Sequence, residues 1–192
     1  MSPYKLPLKL ELFEHKDRDF SPVFGLFDDS LPDGWGLLLM DRYLRKQGYD
    51  IEALSVLDRL AFLGKNTMGA LIYEPAPDIV PGDKSPFDLH DLSIQSHDIL
   101  SGRTDDVLPQ LMNAGGSPCG ARPKVLVGIY KDNMVSGETD LAEHFEHWII
   151  KFLSENNFPD AGPLEYAYSL MARDAGINMA ETRLFNTNQG DN

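Results

Sequence analysis

The chain has 192 residues and a net charge of −13, with 42% apolar and 24% charged residues. That length accommodates one domain or two small ones and buries about 70% of the unfolded surface, so a real core is expected. The acidic balance argues against a general grip on nucleic-acid phosphates, and no apolar run approaches the roughly 20 residues that span a membrane.

The first predicted element is a half-buried strand over residues 5–13, where Leu6, Leu8, Leu10 and Leu12 alternate with Pro7, Lys9 and Glu11. Pro7 puts its start at an edge or at the first residue. Asp33 is placed to N-cap a helix over 34–47, and Gly48 to stop it, with Trp35, Leu38, Leu39 and Tyr43 on one face. A second helix is predicted over 51–63, capped by Asp50 and ended by Gly64, with Leu54, Leu57, Leu60 and Ala61 as its stripe. Residues 69–73 read as a short strand. Residues 74–87 contain four prolines and read as a linker.

Helices over 88–100 and 104–113 follow, the second with Val107, Leu108, Leu111 and Met112 at helical spacing. Residues 114–124 are a glycine-rich loop, 125–130 an apolar strand and 131–133 a turn. A second strand over 148–152 is able to pair with the first as an antiparallel ribbon. A helix over 162–175 is stopped by Gly176, and Leu164, Ala167, Leu170 and Met171 are read as its buried face. Residues 182–185 begin another strand.

The chemistry concentrates in the loop and the strand after it. Gly115, Gly116 and Gly120 let backbone N–H groups come close to an anion, because no Cβ intervenes. Arg122 and Lys124 add positive charge. Lys151 lies in a strand that otherwise reads as buried, where a cation needs an anionic partner; the other reading is a strand-end lysine whose head reaches water. Glu165 has two readings as well: an ion-pair partner that fixes the Lys151 rotamer, or a first-turn acid favourable to the helix dipole.

Cys119 is the only cysteine, which excludes an intrachain disulfide and suits a reducing cytoplasm; it reads as a small side chain in a crowded loop. None of His15, His90, His97, His144 and His147 is read as pairing with a cysteine or carboxylate at metal-ligand spacing. A glycine-rich loop, a strand, a strand with one lysine and a helix with a glutamate, in that order, make the front half of a kinase nucleotide site.

Gly115-Gly116-Ser117-Pro118 with Gly120-Ala121-Arg122-Pro123-Lys124 resembles the signature loop of the HipA-type Ser/Thr kinase toxins of type II toxin–antitoxin systems. Residues 27–36, 58–64 and 68–71 resemble that family's N-terminal subdomain, so the resemblance runs along essentially the whole chain. It implies an α+β fold, with residues 1–78 as the N-terminal subdomain and 88–192 as part of a kinase-like N-lobe with an antiparallel sheet. It implies ATP and magnesium as cofactors, with the phosphates held by Gly115, Gly116, Ser117, Gly120, Ala121, Arg122, Lys124 and Lys151, and Glu165 in support.

Ser117 stands where the family carries a self-phosphorylated serine; a phosphate there adds about −1.5 to −2 charge in a loop built for another anion. A protein substrate (an aminoacyl-tRNA synthetase in the best-understood members), a DNA-binding HipB-like antitoxin, a cytoplasmic location and a role in bacterial persistence are further implications. The catalytic aspartate, its asparagine and the later metal-binding aspartate are not found after Lys151. The chain is therefore expected to lack the C-lobe and the metal ligands, to begin inside the first subdomain, and to transfer no phosphate by itself. The rival expectation is a non-enzymatic module whose acidic surface and first subdomain dock an antitoxin or a separate kinase chain.

Overall fold

A computed structural model describes residues 6–14, 23–68, 70–77, 88–107, 109–115, 120–131, 133–137, 141–153 and 160–185. Among them the helices are α1 (Gly25–Asp28), α2 (Gly34–Lys46), α3 (Val56–Leu63), α4 (Leu89–Leu100), α5 (Pro109–Gly115) and α6 (Ala161–Asp174). The strands are β1 (Lys124–Tyr130), β2 (Asn133–Ser136) and β3 (Glu146–Lys151). They form one three-stranded sheet in the order β2-β1-β3. Both pairings are antiparallel, with Tyr130 opposite Asn133 and Val125 opposite Ile150. The chain is a small α+β fold.

One apolar cluster runs through it. Trp35, Leu39, Met40, Tyr43 and Leu44 of α2 meet Leu60 and Leu63 of α3, Leu92 and Ile99 of α4, and Leu111 of α5. Val125, Val127 and Ile150 add the inner face of the sheet. The core thus joins the chain before the proline-rich stretch to the chain after it. The apolar stripe of α2 follows the 3.6-residue period as expected, and α5 packs against both α2 and β1.

Several sequence expectations are corrected. Residues 6–13 form no strand; Leu6 is buried, but Leu8, Leu10 and Leu12 are exposed. A period-two pattern needs a partner strand to become a ladder, and no strand of the sheet pairs with this segment. The second helix begins at Val56, not at 51. Ser55 N-caps it in a reciprocal capping box with Asp58, while the Asp50 carboxylate bonds the Glu52 N–H in a separate turn. That start moves Leu57 to the exposed side.

The helix expected over 104–113 begins at Pro109, and proline is favoured at a first helical position, where its missing N–H costs nothing. The described residues 70–73 and 182–185 form no strand. Strand β2 carries too few residues to show periodicity and was read as part of a polar connection. On α6, Leu164, Ala167, Leu170 and Met171 are exposed, and only Ala161 and Ser169 are buried. The period gave that helix its apolar side but not what covers it. Residues 1–5, 69 and 78–87 of the predicted strands and linker, and Leu108, lie outside the described residues.

Leu39 is 0% exposed. Leu39→Ala is expected to cost about 2–5 kcal/mol of stability, measured by denaturant unfolding. Two hydrogen bonds from Ser55, the side-chain one first, hold the Asp58 carboxyl below its ordinary 3.8. A carboxyl lowered on folding adds stability that is present above the ordinary aspartate range and is lost as pH falls below it. Ser55→Ala should bring Asp58 back up in an NMR titration and flatten that acid-side loss.

Candidate anion-binding site

The register of β1 and β3 puts Lys124 directly opposite Lys151. Facing residues on antiparallel strands share a face, and like charges there repel unless something negative lies between them. Lys124 is buried, and its ammonium lies against Gly120: a Cβ built on that glycine would stand 2.8 Å from Nζ. Gly120 also has φ +106, a conformation that side chains disfavour. The positive φ is what favours glycine here, since a Cβ would meet only the movable end of the Lys124 side chain.

Arg122 enters from the loop. Its Nε donates to the Phe152 carbonyl at 3.2 Å, and the Phe152 N–H donates to the Pro123 carbonyl at 2.9 Å. The guanidinium also pairs with Glu165 of α6, whose other carboxylate oxygen accepts from Lys151 Nζ at 3.2 Å. One carboxylate is thus shared by two cations brought in from different elements. Lys151 is 50% exposed, so the expected partner is present while the expected burial is not. Of the two readings of Glu165, the ion pair with Lys151 is the one its geometry adopts.

The loop leaves toward β1 through a turn held by the N-terminal end of α2. The Gly120 N–H donates to the Asp33 carboxylate at 2.6 Å. The Gly120 carbonyl accepts from the Trp35 N–H at 3.1 Å. The buried Trp35 indole donates to the Lys124 carbonyl at 3.0 Å. Gly34, at φ +40, lies under Ala121: a Cβ there would stand 2.7 Å from the Ala121 Cα. Asp33 occupies the N-cap position as expected, yet its side chain makes no cap hydrogen bond; the carboxylate goes to Gly120 instead.

The structure therefore brings Gly120, Ala121, Arg122, Lys124, Lys151 and Glu165 to one end of the sheet. Gly115 ends α5. Gly116, Ser117 and Cys119 lie outside the described residues. Sequence reasoning assigns Asp33 as a helix cap and Trp35 to an apolar helix face, and misses Asp33, Gly34 and Trp35 as contacts of the loop. A signal was available: two glycines flanking a tryptophan at a helix start weaken the helix, so some close approach must favour them. Among the described residues, no group of three or more His, Cys, Asp or Glu could hold a metal ion. Nor is any helix there long and apolar enough to cross a membrane.

Comparison with known proteins gives two matches to family models. Residues 1–74 match one described as HipA N-terminal domain, and residues 116–192 match one described as HipA-like C-terminal domain. No curated protein and no solved structure matches the chain.

Gly34→Ala is expected to destabilise by more than about 1 kcal/mol, because the strained φ adds to a clash with backbone that cannot swing away. Glu165→Ala, at a half-exposed ion pair, should change stability by less than about 1 kcal/mol. Both are read by denaturant unfolding.

Proposed function

The chain belongs to the HipA family, and on that premise we propose that it carries the phosphate-binding half of the ATP site of a Ser/Thr kinase toxin. The observation that carries this reading is the Arg122–Glu165–Lys151 array beside Lys124. A buried lysine facing a second lysine, with an arginine alongside, suits the spread negative charge of a triphosphate. Lys151 supplies a point charge on the phosphates, and Glu165 holds that lysine in place. Arg122 offers planar donors. ATP supplies the phosphoryl group; the residues named here bind and orient it.

Magnesium belongs to the same reading, and among the described residues no group of three or more His, Cys, Asp or Glu gathers to hold it. Ser117, in the same loop, is the proposed phosphorylation site, where a phosphate would compete with the nucleotide for the same donors. Residues 1–78 are proposed as a first subdomain and 88–192 as kinase N-lobe. A protein substrate, a HipB-like antitoxin and a cytoplasmic site of action belong to the same reading.

A second reading is favoured by one observation. α6 and the chain after it present Leu164, Tyr168, Met171, Ile177 and Leu184 to solvent. Exposed apolar patches mark docking surfaces. In that reading the chain docks an antitoxin or a separate kinase chain, and the loop binds nothing.

An NMR titration with ATP separates the two. A few charge-assisted contacts at about 1.5–3 kcal/mol each support an affinity of roughly millimolar. Lys151→Ala should abolish binding, and Lys9→Ala should not change it. If the two variants behave alike, or if the shifting amides lie within residues 6–77 away from the Asp33–Trp35 contacts of the loop, the nucleotide reading falls and the docking reading stands.

A further inference from the structure

We infer that Asp33 is a positioning residue for the end of the glycine-rich loop at residues 120–124, and that helix α2 is the frame that holds it. Gly120 is held from both sides. Its N–H is bound by the Asp33 carboxylate and its carbonyl by the Trp35 N–H, so its peptide groups cannot rotate without breaking one of these bonds. The Trp35 N–H is one of the amides that a helix start leaves without an internal partner, and the loop satisfies it. Gly34 lets this contact form by admitting the Ala121 backbone where any side chain would stand.

Two residues beyond Gly120 is Arg122, tied to Phe152 and to Glu165. The orientation of the arginine is therefore passed down from the turn that Asp33 holds.

The far end of α2 holds the chain on the loop's other side. Arg42 donates to the Thr104 carbonyl at 2.6 Å, and Lys46 pairs with Asp106 at 2.7 Å. Those residues lead into α5, which packs on α2 and ends at Gly115. Both flanks of the loop are thus anchored to a single helix from the N-terminal segment. The carboxylate of Asp33 is free for this role because it caps nothing. The consequence for affinity rests on the nucleotide reading above; the effect on the loop exit does not.

The test uses the full chain, wild type beside Asp33→Ala, Asp33→Asn and Asp88→Ala. Asp88 caps α4 by accepting from the His90 N–H, so its loss removes a true helix cap away from the loop. In ligand-free protein, Asp33→Ala should raise Gly120 amide exchange about tenfold or more, since a hydrogen bond to a charged acceptor is lost. It should also move the Arg122 Nε–H resonance. Asp33→Asn keeps an oxygen acceptor and should restore both. With ATP as the probe, Asp33→Ala should bind about tenfold more weakly and Asp33→Asn like wild type.

The inference is overturned if Asp33→Ala exchanges like wild type, or if Asp88→Ala raises Gly120 exchange equally. It is also overturned if exchange rises while ATP affinity is unchanged. If wild type binds no ATP, the nucleotide reading falls alone: the contrast between alanine and asparagine in exchange then supports the role of Asp33, and its absence refutes it.

Discussion

Everything at the candidate site hangs from one turn. The peptide groups of Gly120 are gripped by Asp33 and Trp35, and the buried Trp35 indole reaches on to the Lys124 carbonyl. This grip lies between residues far apart in the chain, so ordering it costs loop-closure entropy. The continuous core under α2, α5 and β1 offsets that cost. A buried tryptophan has a large apolar body and a single donor; here the body fills the core and the donor finds a backbone acceptor at the root of β1. Packing and hydrogen bonding thus select the same arrangement.

The charges at the sheet's end follow from that arrangement. With β1 started at Lys124, the register with β3 makes Lys151 its neighbour, and two like charges share a face. Glu165 relieves the repulsion from a third element, α6, and ties in Arg122 as well. Half-exposed pairs of this kind add little to stability. Their effect is on where positive charge stands in a chain whose overall charge is −13.

Helix α6 behaves differently from α2, although both are amphipathic. α2 buries its stripe in the core. α6 makes its contacts largely through polar groups: Glu165 with the cations, and Ser169 with Thr182 at 2.6 Å. The segment after it is held to the sheet by Arg183 over the Trp148 ring at 4.7 Å, a cation–π contact, rather than by strand pairing. Most of its apolar residues stay in solvent.

What the sequence determined by itself is local. The stripe of α2, the span of α4, the strands on either side of residues 131–145 and the stops at Gly48 and Gly176 were legible, because period, capping chemistry and glycine act over a few residues. The glycine-rich loop and the cations around it were legible for the same reason. Tertiary structure decided the rest. Whether the alternating leucines of residues 6–12 became a strand depended on a partner edge. Whether α6 buried its apolar side depended on a covering surface. Whether Asp33 capped its own helix or bound Gly120 depended on which N–H lay nearer after folding. Each is a contact between residues distant in the chain, and periodicity along one segment carries no information about what the rest of the molecule brings against it.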